Sequence, residues 1–454
     1  MSSPLLSLVI AVLLLGVGWL SAHAATFYVS TAGADSVTCA QAQNAQTPRR
    51  TINQGIACLA GGDTLIVKPG EYDELLADYA GVPHAAGVTR PIPGGTASQP
   101  TVIRGASPGT AILTSSVENR GCASLVCLTR VQHLLFQDLI LDGTWTHENV
   151  VGFGEPPAVF PAYLRFQHVE VRNGKGQGFN GKTDQLQLLH VDIHHNGWRH
   201  GQTTCGIDGN NFCWQYPDVY AAQACHGYCH GIYAHGDGWL IEGGRVYDND
   251  AYGIHLYHGP TTNTTVRNVT AYNNHKGWGI GLINGSQNAV YNNVVYNNAG
   301  GGIWIKTSQT LVVHNTVVGN KGGIAIARPG ATVTNNILAG NAEFGVLAHE
   351  SGSGTLENNL LGGGTDIQED APGMLTKANN RSGDPKFVNP PSDFHLQSGS
   401  PAIAAGVYPP DAVMLTDKDG VARPFTGAVD VGAYQYSSGG PMLPAPSNLR
   451  AVVQ

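Results

Sequence analysis

The part of the sequence that decides the fold reads TTVRNVTAYNN (264–274), NAVYNNVVYNN (288–298), LVVHNTVVGN (311–320) and TVTNNILAGN (332–341). Each segment contains two short apolar runs that end in asparagine or glycine. Related segments extend outward from it over residues 161–361, with a period of 20 to 26 residues. A period near 22, with short strands between Asn and Gly, is typical of a solenoid whose turns are β-strands.

Two columns of small polar residues recur when the segments are aligned. Asparagine and glycine tolerate the left-handed backbone of tight corners, and stacked asparagines can form a hydrogen-bonded amide ladder. We expect Asn268, Asn292, Asn315, Asn335 and Asn358 to stack on one inner corner. That first column also contains His168, His190 and Gly243, and the second column consists of Asn196, Asn249, Asn274, Asn298, Asn320 and Asn341.

A third motif is a glycine followed by an alternating strand. The glycines are Gly231, Gly253, Gly279, Gly302, Gly323 and Gly345. Since side chains alternate across a strand, the first and third residues after each glycine should point inward and the second and fourth outward. The predicted outward rows are Tyr233, His255, Gly281, Trp304, Ala325 and Leu347, and His235, Tyr257, Ile283, Lys306, Ala327 and His349.

Composition excludes several classes of protein. Sixty of the 454 residues are glycine and only 12 % are charged, whereas the hydrophobic fraction of 42 % suffices for a core. Disordered chains and coiled coils need more charge, and collagen needs a three-residue glycine period. A net charge of −8 with 24 Lys+Arg argues against nucleic acid as a partner. The sequence therefore predicts a single all-β globular domain, which we expect to be monomeric.

The N-terminus predicts export. Residues 5–20 are apolar, and Ala22-His23-Ala24 is a small-x-small cleavage pattern. We therefore interpret residues 1–24 as a signal peptide and expect the mature protein to be secreted or periplasmic in a bacterium. After cleavage we expect no membrane segment. Eight cysteines in an exported chain favour disulfides. Neighbour pairing would join Cys39 with Cys58 and Cys122 with Cys127. Cys205, Cys213, Cys225 and Cys229 either form two further disulfides or, with interleaved His226 and His230, bind zinc.

The repeat resembles the right-handed parallel β-helix superfamily of pectate-lyase-like proteins. GDTLIVKPGEYDE (62–74) is similar to the first coil of those proteins, and PRRTINQGIACLAGG (48–62) to their N-terminal capping helix. Residues 384–406 and 419–436 resemble their closing segments. The resemblance implies a β-helix domain over 25–436, with a repeat core at about 130–361, a closing segment at 384–436 and a Pro-rich tail at 437–454.

Side chains that could bind or react with a ligand are concentrated on the predicted outward rows. Nine of the 18 histidines lie between His190 and His258, and GFNGK one coil upstream adds Asn180 and Lys182. The largest insertion, residues 197–229, opens beside this stretch and could form one wall of a cleft. Aromatic rings stack on sugars, and Lys or His can neutralise uronates, so we expect an acidic polysaccharide as the partner.

Three reactions on such a polymer need different side chains. Glycoside hydrolysis needs two carboxylates on the cleft face, and the outward rows contain none. β-Elimination needs a base, an acid and a cation that stabilises the developing carboxylate charge, which Lys, His and Tyr can supply. C5-epimerisation needs the same set, but the Asp-Pro-His-Asp motif of β-helix mannuronan epimerases is absent. The alternative to a lyase is a non-catalytic glycan-binding or cell-surface protein.

Roles for individual residues follow from the lyase hypothesis. Lys306 or His235 would be the base, Tyr257 the acid, and Lys182 with His255 would bind the carboxylate. Trp304 and Tyr233 would stack on sugar rings, with Asn180 and Arg328 as further contacts. The pectate-lyase-like resemblance also implies Ca²⁺ as a cofactor to consider, for which Asp237, Asp248 and Asp250 are the nearest candidates.

Overall fold

The structure of the protein is a computed structural model, which describes residues 24–118, 122–154, 160–197, 229–363, 366–408, 415–424 and 426–437. Three long parallel sheets, here called A, B and C, account for most of the described chain. Each coil contributes one strand to sheet A, then one to B and one to C, before the chain moves up to the next coil. This architecture is a right-handed parallel β-helix, and it confirms the predicted fold class.

Sheet A has 13 strands in the described residues, and each pairs in parallel with the equivalent strand of the next coil. Its strands are Thr26–Val29, Thr64–Val67, Thr101–Gly105, Gln132–Gln137, Ala162–Gln167, Gln187–Leu189, Leu240–Glu242, Thr265–Arg267, Ala289–Tyr291, Leu311–Val313, Pro329–Thr334, Ser353–Glu357 and Leu375–Ala378.

Sheets B and C have 12 and 11 strands in the described residues. The strands of sheet B are Gly70–Asp73, Ala111–Thr114, Ile140–Asp142, Glu170–Arg172, Asp192–His194, Arg245–Tyr247, Thr270–Tyr272, Val294–Tyr296, Thr316–Val318, Ile337–Ala339, Leu360–Gly362 and Arg381–Ser382. Those of sheet C are Leu76–Ala77, Ser124–Leu128, Asn149–Phe153, Gln177–Lys182, Ile232–His235, Ile254–Leu256, Trp278–Ser286, Gly301–Ser308, Ile324–Ile326, Val346–Ala348 and Ile367–Glu369.

The second asparagine column is the ladder that the sequence predicts. Asn274 Nδ2 donates to Asn298 Oδ1 at 2.8 Å, and Asn298 Nδ2 donates to Asn320 Oδ1 at 2.9 Å. The same bond joins each neighbouring pair from Asn196 to Asn341, and all six residues are buried. The ladder runs along the corner between sheets B and C and supplies the turns with internal hydrogen-bond partners.

The first column does not form the predicted inner stack, because Asn315 alone of its five asparagines belongs to a buried amide ladder in the described residues. Asn268, Asn292, Asn335 and Asn358 occupy the corner between sheets A and B with φ between 55° and 57°, but His314 fills that slot in the intervening coil with φ 55°. Asn315 is the next residue and belongs to a separate ladder, in which Asn293 donates to Asn315 at 2.9 Å and Asn315 to Asn336 at 3.0 Å. The corner position requires only a left-handed backbone, whereas the ladder position, one residue later, requires an amide side chain. Asparagine satisfies both requirements, so the sequence pattern alone does not distinguish the two positions.

The N-terminal part contains two short helices, Cys39–Ala42 and Ile52–Ile56. Thr51 caps the second helix by accepting a hydrogen bond from the Gln54 amide, and Ile52 and Ile56 are buried in the core. The predicted amphipathic stretch is thus helical over five residues, and its role as a cap stays a prediction. Neither helix in the described part of the chain has the length or apolar character of a membrane span.

Disulfides join Cys39 to Cys58 and Cys122 to Cys127, as neighbour pairing predicts. Both favour an oxidising compartment. Cys229 is buried, and Cys205, Cys213 and Cys225 lie outside the described residues, so the pairing of the last four cysteines stays a prediction. The proposed signal peptide and most of the 437–454 tail also lie outside the described residues.

The C-terminal segment runs back along the outer face of sheet B. It contains the antiparallel pairs Phe387–Asn389 with Asp393–Leu396 and Gly406–Val407 with Ala428–Val429. Phe394 and Ala433 pack on Val294. The buried Arg423 donates to Asn292 Oδ1 at 2.9 Å. This segment therefore covers much of sheet B. A further antiparallel pair, Pro83–His84 with Gly87–Val88, lies near the N-terminus.

Candidate functional site

The outer face of sheet C has the row that the sequence predicts. Strand pairing places Asn180, Tyr233, His255, Gly281 and Trp304 at equivalent positions in successive coils. The neighbouring inward residues, such as Ile232, Ala234, Ile254 and Leu256, are buried in the core. The register also puts Lys182 beside His235 and Ile283 beside Lys306. From Asn180 to the coil of Ala325, this face is roughly 24 Å long at the usual strand spacing.

Tyr252 fills the gap that Gly281 leaves in the row. A Cβ at Gly281 would lie 3.1 Å from Tyr252 Cε1, so the glycine makes room for the tyrosine ring. The ring of Tyr252 stacks on His255 with centroids 4.1 Å apart and lies 6.4 Å from the ring of Trp304. Burial raises the pKa of Tyr252 to about 12. The result is an aromatic surface that continues from Tyr233 to Trp304.

Tyr233 and His258 form the closest acid–base contact on this face. Their Oη and Nε2 atoms are 2.6 Å apart, and their ring centroids are 4.9 Å apart. His258 is exposed and has φ 78°, a left-handed conformation that turns its side chain back toward the preceding coil. A phenol hydrogen-bonded to an imidazole can pass a proton in either direction.

His255 and His230 form a neutral imidazole chain beneath this pair. Burial lowers the pKa of His230 well below its usual value, and burial together with nearby His258 lowers the pKa of His255 to about 3. His230 Nδ1 accepts from the Tyr252 amide at 3.1 Å, so its proton is on Nε2, 3.3 Å from His255 Nδ1. His255 therefore carries its proton on Nε2 and acts as a neutral donor, not as the cation that we expected to bind a carboxylate.

Tyr257 and His235 flank the pair. The Tyr257 ring lies 6.0 Å from that of Tyr233 and 5.1 Å from that of His255, and 37 % of the residue is exposed. His235 lies against the backbone of Gly259, since a Cβ there would be 2.4 Å from His235 Cδ2. Both predicted site residues are thus adjacent to the Tyr233–His258 pair.

Lys306 is apart from this cluster and is already paired. Its Nζ lies 2.8 Å from Glu350 Oε1, while Arg328 Nη1 lies 2.7 Å from Glu350 Oε2. The two hydrogen bonds lower the pKa of Glu350 to about 2. The hydrogen bond to Glu350 occupies the Lys306 ammonium group and holds it apart from the Tyr233–His258 pair, which disfavours the predicted role of Lys306 as a base. Two cations against one carboxylate leave one net positive charge for an anionic ligand.

Lys182 lies at the other end of the row. Its Nζ is 3.9 Å from the centroid of the Phe160 ring, a cation–π contact that positions the ammonium group. Because the register pairs Lys182 with His235, the ammonium lies one coil from Tyr233. Asn180 is in the same strand and pairs with Tyr233 itself.

Beyond Trp304, the row ends in buried small residues. Trp304 stacks on Trp278 at 6.0 Å, and the ammonium of Lys306 is 5.7 Å from the Trp304 ring. Ala325 and Ala327, which we expected on the outward rows, are only 2 % and 0 % exposed. The aromatic face therefore ends at Trp304 and its neighbours.

The three aspartates do not converge. Asp237 follows a sheet C strand and accepts a hydrogen bond from the Thr262 amide, whereas Asp248 and Asp250 lie at the opposite edge of that sheet. Asp250 is buried and paired with Lys276 at 2.8 Å. In the described part of the chain, no group of three His, Cys, Asp or Glu could hold a metal ion. The three aspartates therefore do not form the predicted Ca²⁺ site.

The predicted covering loop lies outside the described residues over 198–228. Its role as a wall, like the zinc alternative, stays a prediction. Sequence reasoning missed four residues of the site: His230, Tyr252, His258 and Glu350. Tyr252 and His258 directly flank the strand motif GIHLY, so a search of the positions beside each strand could have found them.

Comparisons with known proteins agree with this fold. The model of the family described as "Right handed beta helix region" matches residues 193–361. A comparison with curated proteins finds no match. Among solved structures, the chain is similar to the pectate lyase Pel9A, with 14 % identity, a TM-score of 0.62 and coverage of 91 % of this chain and 96 % of that one.

Two further solved structures are similar at low identity. The A-module of the Azotobacter vinelandii mannuronan C-5 epimerase AlgE6 is 20 % identical, with a TM-score of 0.54 and coverage of 73 % and 89 %. The structure of XylC with xylose is 8 % identical, with a TM-score of 0.53 and coverage of 90 % and 98 %. These likenesses and the family match confirm, at the level of fold, the resemblance to the right-handed parallel β-helix superfamily.

Proposed function

We propose that this protein is a lyase that cleaves a uronic-acid-containing polysaccharide by β-elimination on the outer face of sheet C. The observation that carries the proposal is the 2.6 Å contact between Tyr233 Oη and His258 Nε2 within an aromatic row that has a cation at each end. The names of the pectate lyase and the mannuronan epimerase give the class of polymer to test first, which is acidic polysaccharide.

The Tyr233–His258 pair handles both protons of the elimination. The Tyr233 oxygen accepts the C5 proton of a uronate while its own proton moves to His258 Nε2. The C4–O4 bond then breaks, a C4=C5 double bond forms, and the leaving O4 receives a proton from the pair. Both side chains return to their starting protonation states, so atoms and charge balance without a cofactor. Positioned groups of this kind contribute about 10²–10⁴-fold to the rate.

Lys182 supplies the nearby cation. Loss of the C5 proton moves negative charge onto the uronate carboxylate, and a fixed positive charge one coil from Tyr233 stabilises it. The neutral His255 adds an N–H donor one coil from Tyr233 on the opposite side. The sequence predicts Lys182 and His255 as two carboxylate-binding residues. In the proposed mechanism Lys182 acts as a cation and His255 as a neutral hydrogen-bond donor.

Lys306 and Arg328 bind a carboxylate farther along the polymer. Three coils separate Tyr233 from Trp304, which corresponds to roughly 14 Å. A charged group at that distance contributes to binding and not to the bond-breaking step. Trp304 and Tyr252 provide ring surfaces between the two ends.

The test is the ultraviolet absorbance of the unsaturated product when the protein is incubated with polygalacturonate and with alginate. Tyr233→Phe keeps the ring that stacks on His230 but removes the hydroxyl, so turnover should fall at least 100-fold with folding unchanged. Tyr272→Phe is the matched control, since it removes a hydroxyl from a stacked tyrosine on sheet B. Equal activity of these two variants would contradict the assignment of the pair.

Lys306→Gln distinguishes a role of Lys306 in distal substrate binding from a role as the catalytic base. As a distal binding residue it should raise KM for long polymers with little change in kcat, whereas loss of a base would lower kcat by orders of magnitude. A fall in kcat alone would return Lys306 to the role that the sequence suggests.

The aromatic row itself favours a second candidate, a non-catalytic glycan-binding protein. Trp304→Ala would then weaken binding, Tyr233→Phe would have little effect, and no polymer would yield an unsaturated product. Exchange of the C5 proton with solvent without an unsaturated product would instead indicate epimerisation, because both reactions begin by removing that proton.

A further inference from the structure

A second groove lies on the outer face of sheet A, around the corner from the sheet C row. Its volume is about 580 Å³. The outward residues Leu135, Arg165 and Gln187, which pair in register in successive coils, form the floor. The loop at residues 96–100 forms one wall, and His133 and Tyr163 form the other. None of these residues belongs to the site described above.

Tyr163 is unusual for its position in the coil. It is the second residue of the sheet A strand Ala162–Gln167, where the backbone is left-handed, with φ 55°. A bulky side chain is rarely found in that conformation. The same position holds His133 in the preceding coil and Gln185, Gly238, Asn263, Gln287 and Gln309 in the following coils, so Tyr163 is the bulkiest residue of this series. The Tyr163 ring stacks on His133 at 4.7 Å with an interplanar angle of 12°, yet the residue is 51 % exposed.

An exposed tyrosine with a left-handed backbone, stacked on a second ring at the edge of a groove, suggests a role in binding. The ring is not needed to cover the core, because the inward residues Leu134 and Leu164 are already buried beneath it. Its stacking on His133 fixes the ring in place, so that a ligand would bind it at little cost in conformational entropy.

Arg165 gives the groove its charge. Gln187 Oε1 accepts a hydrogen bond from Arg165 Nε at 2.7 Å, which orients the guanidinium group. Among the described residues, Nη1 and Nη2 of Arg165 make no hydrogen bond and remain available for a planar anion. The described lining of the groove contains this one cation and no carboxylate. A carboxylate ligand thus fits better than a neutral or cationic one.

We infer that this groove is a second glycan-binding site, in which Arg165 binds a uronate carboxylate and Tyr163 contacts the sugar ring. The inference takes its class of ligand, an acidic polysaccharide, from the proposed function. Lys182 ends its sheet C strand at the corner that leads to sheet A, and its partner ring, Phe160, precedes the strand Ala162–Gln167. Lys182 therefore lies at the edge between the proposed catalytic face and the groove.

The experiment measures binding of polygalacturonate and alginate by calorimetry in the Tyr233→Phe background, so that the polymer stays intact. Tyr163→Ala and Arg165→Gln should each weaken binding about tenfold. Arg50→Gln, at an exposed arginine near the N-terminus, is the control and should leave the affinity unchanged. In the parent protein, Tyr163→Ala should leave the turnover of short oligomers unchanged.

Several outcomes would overturn the inference. These are unchanged affinity in both groove variants, loss of short-oligomer turnover in Tyr163→Ala, and equal binding of a neutral polymer that Arg165→Gln does not alter. Failure of the proposed function is distinguishable, because a protein that binds acidic polymers through Tyr163 and never yields an unsaturated product contradicts only the lyase assignment.

Discussion

Replacing Asn298 by Ala tests the ladder that sets the register of every outward row. Asn298 Oδ1 accepts from the Asn274 amide at 3.2 Å and from Asn274 Nδ2 at 2.8 Å. Its Nδ2 donates to the carbonyls of Ala271 and Tyr296, both at 3.1 Å, and to Asn320 Oδ1 at 2.9 Å. Truncation would leave at least three buried polar groups without these partners.

The expected loss follows from that count. A buried polar group without a partner costs about 1–3 kcal/mol, so we expect the loss of three partners in Asn298→Ala to lower the free energy of unfolding by at least about 3 kcal/mol. Denaturant titration followed by circular dichroism measures it as a lower midpoint with an unchanged slope.

The neighbouring residue provides the control. Asn297 is exposed with φ 53°, a conformation that glycine adopts readily, so Asn297→Gly should change the unfolding free energy by less than about 1 kcal/mol. A loss in Asn298→Ala no larger than that in Asn297→Gly would refute the argument that the amide ladder stabilises the solenoid.

Two further predictions concern pH and oxidation. Burial lowers the pKa of His147 to about 4 from its usual 6.5. Between pH 6.5 and 4 the unfolded chain therefore binds a proton that the folded chain does not. As the pH falls through this range, His147 should lower the free energy of unfolding by about 1.4 kcal/mol per pH unit. His147→Gln should therefore show a shallower acid decline in urea titrations, and an unchanged slope would contradict the assignment. Replacing both Cys39 and Cys58 by Ala should lower the unfolding free energy by about 3 kcal/mol, because the disulfide closes a loop with a sequence separation of 19 residues; equal urea midpoints would contradict this.

The sequence predicts the repeating parts of this molecule well because they obey one-dimensional rules. Alternation along a strand determines which residues of GIHLY face outward, and the periodic asparagines determine which coils are neighbours. The prediction that Asn315 occupies the same corner position as Asn292 and Asn335, where the structure has His314, shows the limit of such reasoning. His314 and Asn315 are both compatible with a corner, and only the buried amide bond between Asn293 and Asn315 distinguishes the ladder from the slot beside it.

Contacts across coils and turns could not be predicted in this way. Lys306 pairs with Glu350, 44 residues later in the chain, and periodicity contains no information about which turn carboxylate reaches a given lysine. The contact between Tyr233 and His258 likewise depends on the left-handed backbone at His258, just past the strand. Site roles changed for this reason, whereas the register of the row residues is as predicted, although Ile283, Ala325 and Ala327 are buried.

The covering of sheet B favours the uncovered sheets, including sheet C, as the face for the polymer that we propose. The three sheets have similar lengths, and sheet B also carries aromatic residues, since Tyr247, Tyr272 and Tyr296 stack at 4.9 Å intervals. However, Phe394 packs against Tyr296, and the buried Arg423 anchors the returning segment to this side. A long polymer therefore cannot follow sheet B through these coils. On sheet C the aromatic surface from Tyr233 to Trp304 has no such cover among the described residues, so its titratable groups can meet a chain that lies along the helix axis.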